Sequence, residues 1–191
     1  MNRVNAIKDK NDLQRISSWL KDNKPFRYYV IFVLALNSGL RISDVLGLNI
    51  SDVENKKFIE IHEQKTGKYK KFPLTQFIQD VIKIYLVQRK KEYSIDENEP
   101  LFIGKKHKRM DRSTVYRALK ECSKVLKLQE NVGCHSTRKS FGYAHYKQFN
   151  DIGLLQTILN HSSPAVTLRY IDVTQEEIDN SYLNLDLGLV K

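Results

Sequence analysis

From Tyr28 to Leu36 the chain carries no charged side chain, and its only polar atoms outside the backbone are two tyrosine hydroxyls. A helix over about Pro25 to Asn37 is therefore apolar on nearly every side, so the rest of the chain has to pack around it. The run is about half of the ~20 residues that span a bilayer, which makes it a core helix and not a membrane segment. No apolar signal segment precedes it. With 191 residues there is material for one domain with a proper core, and the expectation is a single unit covering residues 1–191.

The remaining elements arrange themselves around that helix. Asp9 can cap a first helix running through Trp19 and Leu20, with Leu13, Ile16 and Leu20 at helical spacing. Ser38-Gly39-Leu40 ends the central helix, and Arg41 to Leu48 reads as one short helix with Arg41 and Asp44 a turn apart. The period then changes. Phe58 to His62 and Tyr69 to Phe72 read as two short strands joined by a turn around Gly67, with Lys65 at the tip and Pro73 as the stop. Thr75 caps a long helix that turns Phe77, Ile78, Val81, Ile82, Tyr85 and Leu86 inward. Ile95 to Pro100 is a polar loop, Leu101 to Ile103 a short extended piece, and Gly104 to Arg109 an exposed basic loop. A helix from about Arg112 to Leu126 buries Val115, Leu119, Cys122 and Leu126. Thr174-Gln175-Glu176-Glu177 is a capping box that opens the last helix, and the tail from Leu183 to Val190 is patterned to pack away from its own core. The fold class expected is α+β, mainly α, with a small antiparallel sheet.

Charge narrows the partner. Lys and Arg number 32 against 22 Asp and Glu, a net +10, which points to a polyanion, with nucleic acid ahead of a membrane surface. The two cysteines, Cys122 and Cys134, make neither a disulfide framework nor a metal cluster and fit a reducing, cytoplasmic compartment.

Chemistry concentrates between Gly133 and Ile171. If Ser136 or Thr137 begins a helix, His135 and Arg138 lie about one turn apart and can point the same way. His161 falls just before a strong helix start, with Ser163 as cap and Pro164 as first helical residue. Tyr170 then closes a helix of fewer than two turns. Each residue alone also has an everyday reading. Arg41 and Asp44 can be an intrahelical ion pair, Lys65 a solvated turn lysine, His135 a core histidine and His161 a cap; Tyr143 and Tyr146 lie nearer His135 and Arg138 than Tyr170 does. Together, however, they are the parts that metal-free phosphodiester cleavage needs. Arginine forks match phosphate oxygens, a phenol can form a covalent link, and Lys or His can move protons near neutral pH. Asp96, Glu97 and Glu99 come closest to a carboxylate cluster, but they read as a solvated loop and not as a two-metal site.

The segment from Ser38 to Leu46, with Arg41 and Asp44, resembles the first signature of the tyrosine recombinase (phage integrase) family. His135-Ser136-Thr137-Arg138 is similar to its His-x-x-Arg signature, and Leu159 to Ser163 followed by Thr167 to Tyr170 is similar to the segment carrying its second histidine and nucleophilic tyrosine. Lys65 falls at the family's hairpin lysine, and the likeness runs from about Asp9 to the end. The resemblance implies that Tyr170 attacks the scissile phosphate to give a 3′-phosphotyrosine and a free 5′-hydroxyl. It further implies that Arg41 and Arg138 hold the non-bridging oxygens, His135 serves as base, Lys65 protonates the leaving oxygen and His161 donates to the phosphate. Asp44 would buttress the arginines, and no metal or other cofactor is implied. Lys68, Lys70, Lys71, Lys105, Lys106, Lys108, Arg109, Arg112 and Lys139 would meet double-stranded DNA. The C-terminal helix resembles the segment that docks on a neighbouring protomer, which implies an assembly, a tetramer, on DNA. One departure stands out: the signature begins near residue 38 and leaves no room for an N-terminal core-binding domain. Two rival expectations are a non-cleaving DNA-binding regulator with the same fold and a type IB topoisomerase-like enzyme that relaxes supercoils.

Overall fold

The computed structural model describes residues 4–92, Asp96, 98–186 and Gly188. The apolar run becomes α2 (Arg27–Ser38), whose residues from Val30 to Ala35 are all buried. Around it pack α1 (Lys10–Asn23), α3 (Ile42–Gly47), α4 (Gln76–Glu92) and α6 (Ser136–Phe149). This is the surrounded position that an all-apolar helix requires. Asp9 caps α1 by accepting from the Asn11 amide at 2.7 Å, and Ile16 and Leu20 turn its apolar face inward.

A two-stranded antiparallel hairpin follows, β1 (Phe58–His62) and β2 (Tyr69–Pro73), in a register running from Phe58 opposite Pro73 to His62 opposite Tyr69. Pro73 ends β2 from inside the strand, a position open to proline because a two-stranded ribbon is all edge. Ile59 and Phe72 face the core, as period-two alternation dictates. On α4, Ile78, Val81, Ile82, Tyr85 and Leu86 are buried, but Phe77 is 54% exposed and lies outside the inward stripe. Leu101 and Phe102 plug the core, flanked by bridges from Asn49 to Pro100 and from Ile103 to Arg109. The basic loop tightens into a 3-10 turn over Lys105–His107, in which Lys106 and His107 take left-handed φ. In α5 (Arg112–Val125), Val115, Leu119 and Cys122 are buried, whereas Leu126 caps the helix half-exposed.

A second, smaller cluster built on Leu155, Leu159 and Ile171 sits beneath α7 (Ile152–Leu159) and α8 (Pro164–Tyr170). The last helix, α9 (Gln175–Leu183), starts with the expected Thr174/Glu177 capping box. Leu183 and Leu185 are exposed; of the other polar-loop and tail positions read above, Ile95, Glu97, Leu187, Leu189 and Val190 lie outside the described residues. No helix among the described residues is long and apolar enough to cross a membrane. The architecture is thus mainly helical with one small antiparallel sheet.

Candidate active site

Where α2 stops, the site begins. Gly39 takes φ 62, and a Cβ there would lie 2.5 Å from the Phe141 ring, so only glycine closes the helix at this spot. The chain resumes at Arg41, extended, at the N-cap of α3. Arg138, in the first turn of α6, is buried to 1% and donates to Gly39 O and Leu159 O, each at 2.7 Å. Those carbonyls lie at the C-terminal ends of α2 and α7, where helix dipoles favour a cation. The two guanidiniums therefore meet because α2, α6 and α7 end or begin around one point.

Between them lies Glu63, a carboxylate that the motif reading passed over. Its side chain has no exposed surface; Oε1 is 3.0 Å from Arg41 Nη1 and 3.6 Å from Arg138 Nη1. Oε2 accepts from Thr66 Oγ1 at 2.7 Å and Asn160 Nδ2 at 3.3 Å. Burial raises the Glu63 pKa, but contacts from Thr66 and Arg41 and the charges of both arginines outweigh it, and the net shift is downward. Asp44, the expected buttress, is farther from Arg41 at 3.8 Å, and its Oδ1 accepts from the Gln64 amide at 2.9 Å. Asp44 thus ties the hairpin turn to α3, and Glu63 is the carboxylate that faces both arginines. Alternation gave the signal: Ile59, Ile61 and Glu63 share one parity, so continuing the β1 pattern points Glu63 inward.

Tyr170, the last residue of α8, packs edge-on against His161 with ring centroids 4.8 Å apart. Its hydroxyl is buried and has no aligned hydrogen-bond partner among the described residues. Burial raises its pKa, against the pull of Arg138 and Arg41, so the phenol rests protonated. His161 is driven down to about 4, by burial first and then by the two arginines, and is neutral at pH 7. Thr167 Oγ1 donates to Ser163 O at 3.1 Å and so meets His161 Nδ1, 3.2 Å away, as an acceptor. That assigns the single imidazole proton to Nδ1. His135 occupies the N-cap position of α6 with an accessible ring. The surrounding protein, then Arg112, Arg138, Arg41 and Lys65, holds its pKa below the ordinary histidine value. Lys65 is exposed in the hairpin turn, close enough for its charge to be felt at His135. A groove of about 680 Å³ opens beside His135 and Tyr170, with Arg112, Tyr116 and Lys120 among its walls. The structure thus gathers Arg41, Arg138, His161 and Tyr170 closely, with His135 and Lys65 at the rim.

Arg41 Nη1 and Glu63 Oε1 form an ion pair without hydrogen-bond alignment, and both atoms join the Tyr170 hydroxyl among the buried polar atoms lacking a hydrogen bond. Buried groups left in this condition call for a further partner. An anion is the species that two guanidiniums would take.

The expected DNA face needs two corrections, at Lys70 and Lys139. Lys70 is buried to 8% and donates to Ser38 O at 3.4 Å, because it shares the inward parity of Phe72 on β2. Lys139 is buried to 6%, with Nζ 2.8 Å from both carboxylate oxygens of Asp172 and 5.4 Å from the Tyr170 ring. Asp172, at left-handed φ 59, also accepts from the Ala6 amide at 2.9 Å. Lys139 therefore fixes the loop after the tyrosine. Arg109 is exposed, as expected, and its guanidinium also donates to Leu46 O, Leu48 O and Asn49 Oδ1, which staples the basic loop to the end of α3. Lys68, Lys71, Lys105, Lys106, Lys108 and Arg112 are exposed, with Lys71 paired to Glu60.

Comparison with known proteins bears on this constellation. The model of the phage integrase family matches residues 8–177. A probable integrase/recombinase, YoeC of Bacillus subtilis (strain 168), is 37% identical over 183 residues, covering 95% of this chain and 97% of that protein. The tyrosine recombinase XerC of Rickettsia typhi is 32% identical over 157 residues, covering 82% of this chain but 50% of its own length. Among solved structures, a post-cleavage complex of XerH recombinase with palindromic difH substrate aligns at TM-score 0.79 and 19% identity, over 96% of this chain and 53% of that one. The catalytic domain of bacteriophage HP1 integrase aligns at TM-score 0.63 and 18% identity, over 97% and 98%. At such identities the structural likeness speaks for the fold.

Proposed function

The chain belongs to the phage integrase family, and from that premise we propose that it is a site-specific tyrosine recombinase, cutting and rejoining double-stranded DNA through a covalent link at Tyr170. The observation that carries the reading is that the buried hydroxyl of Tyr170 lies beside His161 and within reach of the charges of Arg138 and Arg41, with Arg41 Nη1 and the hydroxyl both lacking an aligned hydrogen bond among the described residues. In the proposed step the Tyr170 oxygen attacks phosphorus and the bond to the 5′-oxygen breaks. The phenolic proton passes to His135, and Lys65 gives a proton to the departing oxygen. Arg41 and Arg138 bear the charge building on the non-bridging oxygens, each worth ~10²-fold or more in rate by the usual cost of deleting such a donor. Religation reverses the sequence, because the phosphotyrosine keeps the bond energy of the phosphodiester.

Asp44 acts from behind, by seating the hairpin turn that carries Lys65. Lys68, Lys71, Lys105, Lys106, Lys108 and Arg112 contact backbone phosphates, which sets position and affinity and not sequence. The working form is a tetramer on DNA, joined through α9 and the segment after it, where Tyr182, Leu183 and Leu185 are exposed. Its place is the cytoplasm, with the DNA.

The test is a pool of nicked duplexes of randomised sequence, incubated with the protein in chelator and analysed in detergent. A stable protein–DNA adduct is expected, lost in Tyr170→Phe. An adduct that survives Tyr170→Phe moves the nucleophile to Tyr143 or Tyr146, and one that chelator prevents rules out metal-free cleavage. Sequence-specific binding with no adduct leaves a regulator. Relaxation of plasmids lacking the selected site leaves a topoisomerase-like enzyme.

A further inference from the structure

A lysine is an unexpected residue for the inner face of β2. Its neighbour on that face, Phe72, belongs to the core, and an aliphatic side chain would fill the Lys70 position without the cost of burying an ammonium. The Lys70 ammonium is held by a carbonyl, Ser38 O, and among the described residues no carboxylate pairs with it directly. That carbonyl is next in the chain to Gly39 O, which holds Arg138. The charged groups facing Lys70 are Arg138 from α6, Arg41 and Asp44 from the start of α3, and Glu63 from just beyond β1.

Counting the buried charges shows what the lysine does. Arg41 and Arg138 contribute two positive charges; Glu63 and Asp44 contribute two negative ones. His161 is neutral and so is Tyr170. Without Lys70 the buried centre would offer a phosphate two guanidiniums whose charge its own carboxylates already cancel. We infer that Lys70 is a positioning residue for strand cleavage: it supplies the uncancelled positive charge of the buried centre and, by its charge on Glu63, leaves more of the charge of Arg41 and Arg138 available to the scissile phosphate. The inference rests on the recombinase reading above.

A second property makes it measurable. Burial first, then Arg138, lowers the Lys70 pKa to about 8, with Glu63 opposing. The ammonium is therefore present below about 8 and lost above it, so cleavage by the free protein falls as pH rises through that value. Arginine at the same position stays charged throughout.

The experiment is single-turnover cleavage of the selected nicked duplex at sub-saturating protein, from pH 6 to 10, for the wild type, Lys70→Met and Lys70→Arg, with thermal unfolding of each. Lys70→Met is expected to remain folded and to cleave about 10-fold more slowly or worse at pH 7. Lys70→Arg is expected to restore cleavage and move the alkaline fall upward from the wild-type position. Lys70→Met cleaving at the wild-type rate overturns the inference, and so does an alkaline fall shared by wild type and Lys70→Arg. If Lys70→Met fails to fold, the two pH profiles decide alone. A wild type that forms no adduct removes the recombinase reading itself, and this inference with it.

Discussion

Glu63→Ala is the perturbation that most directly tests how the arginine pair is held. The carboxylate has no exposed surface and stands 3.0 Å and 3.6 Å from two guanidiniums. At an effective dielectric of about 20, each contact is worth several kcal/mol of Coulomb energy, part of which offsets the desolvation of the carboxylate. Removing one member of such a buried set costs about 3–5 kcal/mol, because the charges left behind lose their compensation. Thr66 and Asn160 lose their acceptor as well. For a domain of this size each kcal/mol shifts the melting temperature by about 2–4 °C, so a fall of roughly 6–20 °C is expected at pH 7.

The pH dependence is fixed in direction. The folded pKa of Glu63 is lowered: burial raises it, and Thr66, Arg41 and Arg138 pull it below the ordinary carboxylate value. The stabilisation is fully present above the unfolded carboxylate pKa and is lost as pH falls through the folded one. Wild-type and variant melting curves should therefore lie far apart near neutrality and converge in acid. Inorganic phosphate should raise the variant's melting temperature more than the wild type's, since an anion can replace the missing charge. The assay is circular dichroism melting from pH 3 to 8 with and without phosphate. A loss under about 1 kcal/mol at pH 7, or a gap that does not close in acid, would refute the placement of Glu63 as counter-ion to both arginines.

Three further outcomes are expected. Tyr170→Phe abolishes the adduct yet changes stability by less than about 1 kcal/mol, because the hydroxyl it removes is buried with no aligned partner among the described residues; a large drop in melting temperature would show a hydrogen bond to that hydroxyl. Arg41→Ala and Arg138→Ala both slow cleavage ~10²-fold or more. Both should also destabilise the fold, because each takes a counter-ion from buried Glu63, and Arg138→Ala should do so more, since it also strands Gly39 O and Leu159 O at about 1–3 kcal/mol each; equal melting temperatures for the two variants contradict this. His161, with its proton on Nδ1, can donate from Nε2 only after taking up a second proton. Its resonance in an NMR titration should stay neutral down to about 4 in the free protein and titrate at higher pH with phosphate added. A phosphate-independent titration would mean that His161 does not meet the anion.

The short-range decisions were open to reading from the sequence. Capping and periodicity act over three or four residues, so Asp9, Thr174 with Glu177, and Ser163 with Pro164 marked helix starts that the structure has. The all-apolar character of Tyr28 to Leu36 dictated a helix at the centre whatever surrounded it. The two turns that set Arg41 and Arg138 at helix starts were also local, the first enforced by Gly39 at φ 62. Even the strand alternation carried more than the motif reading took from it, since Glu63 and Lys70 both fall on inward parity.

What the sequence could not decide was which cation answers which anion. Lys70, Lys139 and Arg109 look like their solvated neighbours Lys68, Lys71 and Lys108 when only type and spacing are seen. Their fates depend on carbonyls and carboxylates that packing brings up from 32, 33 and more than 60 positions away. Arg138 reaches back 99 residues to Gly39. Local hydrogen bonding and hydrophobic period fix where an element begins and which face it buries. The desolvation and pairing of charge are settled only once separate elements close on one another, and in this chain that closing makes the difference between a surface lysine and one buried among Arg41, Arg138 and Glu63.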